Sequence, residues 1–313
     1  MDKTWTQDLL DFLDRSPTCY HAVAELAAKL TTAGYRPLQE QEPWTLAAGQ
    51  GYFVIRGQAS LAAFRVPEGP WRGFAIAAAH SDSPTFKVRE EAEVSGAGKT
   101  MRLSVEPYGG GIYRSWLDRP LSVAGRVLVR TAAGVEPRLV NVDRDLLVIP
   151  SVAIHMDRAV NKGTALDPAV DLLPLLGMED KGAFRRLIAA AAGVEEADLV
   201  TTDLFLYPRM RGTCVGAAGE LLCAPRLDDL QCVYGCLQGF LAAGTGESMP
   251  VLCVFHNEEV GSGTWQGADS TFLTDILSRA AAALGRTGEA YQTSVAESFL
   301  VSADNAHAVH PAH

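Results

Sequence analysis

The chain has 313 residues, 48% hydrophobic and 20% charged, which is enough apolar material for one large domain or two moderate ones. There are 27 Lys and Arg residues against 37 Asp and Glu, so the formal net charge is −10. This charge argues against nucleic acid or an anionic membrane as a partner, because either would favour a basic surface.

Targeting and cysteine patterns give a further exclusion. The first residues have no apolar signal-peptide core, and no run reaches the roughly 18 apolar residues of a membrane span. The six cysteines form no CxxC pair, which disfavours a thiolate zinc site. We therefore expect a cytoplasmic protein with reduced cysteines.

The first predicted elements are a helix and three strands. Ser16, followed by proline, resembles a helix N-cap, and apolar residues then recur at helical spacing until Gly34. Apolar runs at 52–55, 61–66 and 74–79 predict strands. The third run is apolar throughout, which is typical of a strand buried on both faces.

The middle of the chain has a different character. Glycine clusters and β-branched strands such as 122–129 dominate, with one short apolar helix at 184–192. We interpret residues 90–222 as a β-rich domain inserted into a first domain that is formed by 1–89 and 223–313.

An α/β pattern resumes after the insertion. Apolar residues at helical spacing predict a helix over 227–241, followed by a buried strand at 251–255. A helix around 272–277 and a short strand at 299–303 come next. The alternation of strands and helices predicts a sheet that is covered on both faces.

Polar side chains follow three of these predicted strands. His80 follows the first, Glu258 and Glu259 the second, and Asp304 the third. Ligands of open α/β sheets bind at the carboxyl ends of the strands, so these side chains form a candidate site. Asp228 adds a carboxylate at the start of a predicted helix, where an acid is electrostatically favoured.

These residue types suit a divalent metal. Imidazole and carboxylates form the usual hydrolytic zinc set, and a cation relieves the repulsion between converging carboxylates. A pair of ions needs a bridging carboxylate, and adjacent glutamates can divide metal binding and proton transfer between them. Taken singly, His80 also fits a core histidine, the Glu258–Glu259 pair a solvated surface, and the Asp228–Asp229 pair a helix cap.

Six stretches of sequence together resemble one family, the aspartyl aminopeptidases, which are dizinc exopeptidases. The resemblance covers nearly the whole chain, in the family's order. The stretches that carry it are Ala79-His80-Ser81-Asp82-Ser83-Pro84, Arg226-Leu227-Asp228-Asp229, Asn257-Glu258-Glu259-Val260-Gly261-Ser262, Ser302-Ala303-Asp304-Asn305-Ala306-His307, Ile154-His155-Met156 and Asn161.

The resemblance implies a fold and a set of roles. The fold is α/β, a mixed-sheet, three-layer zinc-peptidase domain with an inserted β-rich dimerisation domain. His80 and Asp304 would be terminal ligands of one zinc, Asp228 would bridge two zincs, Glu259 would bind the second, and Glu258 would be the general base.

Two further residues receive roles from the same resemblance. Asp82 would be catalytic by orienting His80 from behind the metal ligands. His155 would reach the active site of a neighbouring subunit and help to hold the substrate carbonyl, although it also fits an ordinary polar strand residue. The family's assembly is a homo-oligomer of twelve subunits.

One expected ligand has no counterpart in the 313 residues. The family places a second-zinc histidine in a Met-His-Ser type motif near its C-terminus, and this sequence has no such motif. One zinc would keep His80, Asp228 and Asp304, while the other would keep only Asp228 and Glu259.

The function implied is a zinc aminopeptidase that releases N-terminal residues, acidic ones above all, from peptides. Two alternatives stay open. One is a C-terminally shortened, catalytically impaired relative that retains an assembly role. The other is a different dizinc hydrolase such as a deacylase, against which the Asn257–Ser262 stretch and the inserted β domain both count.

Overall fold

The computed structural model describes residues 3–178, 180–244 and 246–313. The α-helices among them are α1 (Lys3–Arg15), α2 (Cys19–Thr32), α3 (Ala183–Ala192), α4 (Leu227–Ala242), α5 (Phe272–Ala283) and α6 (Glu289–Ala296). The β-strands are β1 (Arg36–Leu38), β2 (Gly51–Arg56), β3 (Ser60–Arg65), β4 (Gly73–His80), β5 (Thr85–Ser95), β6 (Met101–Tyr108), β7 (Leu121–Thr131), β8 (Gly134–Asn141), β9 (Leu175–Gly177), β10 (Leu199–Pro208), β11 (Thr213–Val215), β12 (Leu221–Cys223), β13 (Ser248–Phe255) and β14 (Phe299–Ser302).

The chain divides into two compact units. The first unit combines the chain up to Ser83 with Gly212–His313, and the second is Pro84–Arg211. These limits differ from those expected at 89/90 and 222/223. Strand β5 pairs with β6 and β10, so the whole strand belongs to the second unit. The β11–β12 hairpin pairs only within itself and belongs to the first.

The first unit contains a six-stranded mixed sheet in the order β1-β2-β3-β13-β4-β14. Strand β13 is parallel to β4 and antiparallel to β3, and β14 is parallel to β4. The register pairs Phe255 with His80, so β13 and β4 end at the same level. This parallel trio supplies the sheet edge at which the predicted site residues emerge.

Apolar cores cover both faces of this sheet. One face packs against α1, α2 and α4 through side chains such as Leu26 and Leu237, and the other packs against α5 through Phe272 and Ile276. Alternate residues of β13 serve the two cores: Leu252 faces one and Val251 the other. The unit is therefore a three-layer α/β structure, as expected for the fold class.

The second unit is a separate β-rich structure with its own core. Its sheet has the order β8-β7-β10-β5-β6-β9, and every pair in it is antiparallel. Helix α3 packs Phe184 and Ile188 into a core with side chains of β7 and β10 such as Val127 and Leu204. The β-rich character expected for the middle of the chain is present.

Most predicted elements lie where the pattern placed them, with one clear correction. Helix α2 begins at Cys19 with Thr18 as its N-cap, whereas Ser16 was the expected cap. Thr18 has the extended backbone of a cap residue (φ −143°, ψ 166°), and Ser16 is fully buried three residues before the helix. No helix among the described residues has the length and apolarity needed to cross a membrane.

Candidate metal centre

Two neighbouring strands deliver the first site residues. His80 is the last residue of β4, and the Ser81 amide donates a hydrogen bond of 2.7 Å to the carbonyl of Phe255, the last residue of β13. Asp304 follows shortly after β14, on the other side of β4. The alanine-rich sequence of β4 fits this central position, because small side chains allow close packing under both helical layers.

Four groups converge at this edge. His80, Asp228, Asp229 and Asp304 each offer one ligand atom, and these atoms all lie within 4.8 Å of one another. His80 Nε2 lies 3.4 Å from Asp228 Oδ1, 3.8 Å from Asp229 Oδ2 and 3.9 Å from Asp304 Oδ1. The carboxylate of Glu258 is also near, with its Oε2 3.9 Å from His80 Nε2.

The start of α4 is irregular where it supplies the two aspartates. Asp228 (φ −81°, ψ 110°) and Asp229 (φ −117°, ψ 15°) have non-helical dihedrals, and the peptide bond between them is cis. The helix-dipole argument made from the sequence for Asp228 therefore does not apply, because the regular helix begins beyond both residues. Ser83 Oγ donates to the carbonyl of Asp228 at 2.6 Å.

Asp229 is a site residue that the sequence reasoning missed. It was treated only as part of a helix cap, yet its side chain is fully buried beside His80. Its Oδ2 accepts a hydrogen bond of 3.0 Å from the backbone amide of His80. The sequence signal that could have identified Asp229 was its position directly after Asp228, the predicted bridging carboxylate.

Asp82 lies at the centre of a buried polar network behind His80. Its carboxylate accepts from the backbone amides of Glu258 and Glu259, at 3.3 Å each. His80 Nδ1 lies 3.1 Å from the Asp82 carbonyl oxygen and 3.5 Å from its Oδ1. One carboxylate thus contacts both the predicted histidine ligand and the turn that carries the two glutamates.

The pKa values of these groups are shifted because the carboxylates are crowded and partly buried. Burial lowers the pKa of His80, but hydrogen bonding to Asp82 and the charges of Asp229, Asp82 and Glu258 outweigh it and raise the pKa to about 9. Burial, together with the charges of Asp228 and Asp82, raises the pKa of Glu259 to about 7. Burial also raises the pKa of Asp229 to about 6.

The donor set fits a divalent cation. One imidazole nitrogen and three carboxylate oxygens are the ligand types that zinc takes in hydrolytic sites. The raised pKa values of Asp229 and Glu259 come first from burial and then from neighbouring carboxylates, and a cation between the carboxylates would favour their ionised forms. His80 presents Nε2 to the cluster and keeps Nδ1 towards Asp82, which is the arrangement of a metal-binding histidine with an orienting partner.

Four predicted residues lie outside this group of four: Asp82 and Glu258, which are described above, and Glu259 and His155. Glu259 is half-buried on the short 3₁₀ turn Glu258–Val260, in electrostatic contact with Asp228. His155 is in the second unit, where it is exposed within a turn. The structure therefore replaces the polar strand position considered for His155 with an exposed turn.

Sequence comparisons identify the family that the chain resembles. The family model described as Aminopeptidase I zinc metalloprotease (M18) matches residues 12–313. The chain is 38% identical over 316 aligned residues to a probable M18 family aminopeptidase 2 of Clostridium novyi, and 40% identical over 314 to one of Azotobacter vinelandii. These matches cover 98% and 97% of this chain and 73% and 72% of the relatives.

Solved structures of similar fold agree. The chain matches Ape4 from a cryo-EM structure of the Ape4 and Nbr1 complex with a TM-score of 0.95, at 34% identity and over 99% of its own length, but it spans only 65% of that Ape4 chain. It also matches a subunit of the S. cerevisiae mApe1 dodecamer, with a TM-score of 0.85, at 27% identity and over 98% of this chain and 72% of that one. The family model, the curated relatives and these structures agree, so the chain belongs to the M18 family of aminopeptidase I zinc metalloproteases.

Proposed function

We propose that this chain carries the metal centre of an aminopeptidase that releases single residues from the N-termini of peptides. The observation that carries the proposal is the cluster at the edge of the first unit's sheet, where His80, Asp228 and Asp304 converge with Glu258 close by. Metal-assisted hydrolysis needs at least two things: a set of metal ligands, and a neighbouring carboxylate that is not itself a ligand and can therefore accept a proton.

Each residue has a separate proposed role. His80 and Asp304 would hold one zinc, Glu259 would hold a second, and Asp228 would be a ligand of both. Zinc supplies Lewis-acid activation of water and of the substrate carbonyl when it is bound. Asp82 keeps the ring of His80 in place from behind, through the contacts at its Nδ1.

Glu258 is the proposed general base. Its side chain is 48% exposed, so it is accessible to a substrate, and it lies beside His80 rather than buried within the ligand group. It takes a proton from the attacking water and passes it to the amine that leaves when the peptide C–N bond breaks. One water is consumed, and the products are a free amino acid and a peptide shorter by one residue.

The test is the substitution Glu258→Gln. We expect kcat to fall by roughly 10²–10⁴, because the amide cannot accept the proton, while zinc binding stays close to that of the unchanged chain. Glu297→Gln, at an exposed glutamate after α6, is the matched control and should leave both quantities unchanged. A Glu258→Gln protein that turns over peptides at the original rate would remove Glu258 from the mechanism.

Zinc stoichiometry separates the proposal from the impaired-relative alternative. Two ions per chain, with turnover, support a working dinuclear centre. One ion without turnover supports a chain that keeps His80, Asp228 and Asp304 as a mononuclear site and serves in assembly. Elemental analysis of the purified protein, combined with a peptide-release assay, gives both numbers.

The substrate preference is proposed from the motif resemblance, which is to aspartyl aminopeptidases. We expect N-terminal Asp and Glu to be released faster than Leu or Lys from otherwise identical peptides. Comparison of kcat/KM across the four peptides measures this. Faster release of Lys than of Asp would exclude an acidic preference without affecting the metal site.

We also propose that the chain works as a homo-oligomer through its second unit and that His155 acts on substrate held by a neighbouring copy. The exposed turn that carries His155 supports this, because such a residue is free to meet another subunit. Mixing inactive Glu258→Gln and His155→Ala proteins under subunit exchange should restore part of the activity. If the mixture stays inactive although subunits exchange, His155 does not act across subunits.

The six cysteines support the proposed cytoplasmic location, because all of them are free, including the exposed Cys214 and Cys223. Thiol titration of protein purified under native conditions should find unpaired cysteines. A disulfide in such protein would count against a reducing compartment.

A further inference from the structure

A second histidine, His256, is buried behind the metal centre and has no role in the mechanism above. It directly follows β13, its side chain is 3% exposed, and its Nδ1 lies 3.7 Å from Asp82 Oδ1. Asp82 is itself only 2% exposed. A buried carboxylate is costly unless donors surround it, so each group that faces Asp82 affects how firmly the carboxylate is held.

The hydrogen bonds around Asn257 fix the orientation of its amide. Asn257 Oδ1 receives the Thr264 hydroxyl at 2.9 Å and the Gln266 side-chain amide at 3.3 Å. With the oxygen occupied by two donors, the NH₂ group of Asn257 faces His256 Nε2, at 3.2 Å.

The orientation of Asn257 fixes the tautomer of His256. A neutral imidazole has one donor and one acceptor nitrogen, and Nε2 here must accept from the Asn257 amide. The proton of the neutral ring therefore sits on Nδ1, which is the nitrogen that faces Asp82. The loop that follows the glutamates thus determines that an N–H group points at the Asp82 carboxylate.

We infer that His256 is a positioning residue that acts through Asp82. At 3.7 Å its Nδ1–H group is beyond direct hydrogen-bond distance, so it stabilises the buried carboxylate by electrostatic attraction while the carboxylate oxygens face His80 and the backbone amides of Glu258 and Glu259. A chain of contacts then runs from Thr264 and Gln266 to the predicted metal ligands. The inference deepens the proposed function, because its consequence for zinc rests on His80 being a ligand.

The test compares two amide replacements of similar polarity. In His256→Asn the side-chain NH₂ occupies the place of Nδ1 and keeps a donor towards Asp82, whereas in His256→Gln the amide lies at the place of Nε2 and the donor to Asp82 is lost. Cys19→Ala is the packing control, since Cys19 Sγ touches the same ring from the Nε2 side at 3.8 Å.

Zinc affinity is the first readout, measured by competition with a chromophoric chelator on the full chain. We expect His256→Gln to bind zinc about 10–100-fold more weakly than the unchanged chain, as for other partners of metal-binding histidines. The zinc affinities of His256→Asn and Cys19→Ala should stay within about threefold of that of the unchanged chain, because both variants keep a donor towards Asp82. Equal affinity of the Asn and Gln variants would overturn the inference, because the donor at Nδ1 would then make no difference.

Nitrogen-15 spectra of the histidine rings, recorded without metal, are the second readout. They should show His256 protonated at Nδ1 in the unchanged chain, and the ring signals of His80 should move in His256→Gln but not in His256→Asn. A proton on Nε2 of His256 would refute the inference, whether or not the protein binds zinc. If the unchanged chain did not bind zinc at all, the proposed metal centre would be refuted instead. Failure of the inference about His256 and failure of the proposed metal centre are therefore distinguishable.

Discussion

At the scale of single residues, the candidate metal site is dominated by an imbalance of charge. His80 is a single base in contact with five acids, Asp82, Asp228, Asp229, Asp304 and Glu258. The acids raise the pKa of His80 to about 9, so the ring is protonated at neutral pH, while burial moves the pKa values of Asp229 and Glu259 up to about 6 and about 7. Zinc bound at the proposed site would compete with the proton on His80, so uptake of metal and release of protons would be coupled.

The pKa of His80 gives a prediction about stability. The pKa is about 9 in the folded chain against 6.5 for an unperturbed histidine, so the stabilisation is complete below about pH 6.5 and is lost as the pH rises through about 9. We expect the free energy of unfolding of the metal-free protein to fall by on the order of 2 kcal/mol between pH 7 and pH 9.

Denaturant titration at several pH values measures this loss. His80→Gln is the matched variant, because it has no proton to lose and should show a flatter pH dependence in the same window. A metal-free protein whose stability is constant from pH 7 to pH 9, or a His80→Gln variant with the same slope, would contradict the assigned shift.

The residues of the site divide into those that the sequence predicted and those that it did not. His80, Asp228 and Asp304 follow apolar strands or begin a helix, and the structure brings them together. Asp229 and His256 were not predicted, because burial and a neighbour's hydrogen bonds give them their importance, and neither is visible in a linear pattern. The roles assigned to His80, Asp228 and Asp304, and those of Asp82, Glu258, Glu259 and His155, remain predictions.

At the scale of elements, α6 and the residue that follows it pack closely on the start of β4. A Cβ atom added at Gly73 would lie 2.6 Å from the backbone carbonyl carbon of Glu297 and 2.8 Å from the carbonyl oxygen of Ser294. Backbone atoms cannot move aside as a flexible side chain does. The first residue of β4 therefore accommodates only a glycine if α6 is to keep its place.

The substitution Gly73→Ala tests this contact. We expect it to lower the free energy of unfolding by about 1–3 kcal/mol, the usual cost of overpacking, because α6 must shift outward. Gly69→Ala is the control in the preceding loop, where an added Cβ would meet nothing within 4 Å, and it should be neutral or slightly stabilising. Equal effects of the two substitutions would show that α6 yields without cost.

The ends of the helices and strands show which features the sequence pattern could predict and which it could not. The strands at 52–55, 61–66 and 74–79 were predicted to within one residue, because long apolar runs flanked by turns leave few alternatives. The start of α2 was misplaced, since Ser16 and Thr18 are both good caps and only the packing of the preceding turn decides between them. The non-helical start of α4 was likewise invisible, because Asp228 and Asp229 fit an ordinary N-terminal turn.

At the scale of the whole molecule, the two units have separate cores and contain different predicted site residues. The first unit contains the whole metal cluster, and the second contains His155 and a run of exposed apolar side chains around it. Val152, Ile154 and Met156 are 61%, 57% and 75% exposed. Contiguous exposed apolar residues of this kind are typical of protein interfaces.

We expect these side chains to lie within the proposed subunit contact. Ile154→Asp should shift the assembly to smaller species in light scattering after gel filtration, because a charge cannot be buried there without a partner. Val309→Asp, at a side chain that is 94% exposed in the first unit, should leave the assembly unchanged. An Ile154→Asp protein of unaltered mass would place the contact elsewhere.

The position of strand β14 in its sheet affects how zinc affinity should be measured. It is the last strand in the order of its sheet, and Phe299, Leu300 and Val301 are 72%, 44% and 49% exposed. A short apolar strand in this position is a template on which a strand of another molecule can add through backbone hydrogen bonds. Because Asp304 lies just beyond it, strand addition would act directly on a proposed metal ligand, so apparent zinc affinity should depend on protein concentration wherever β14 pairs with another chain.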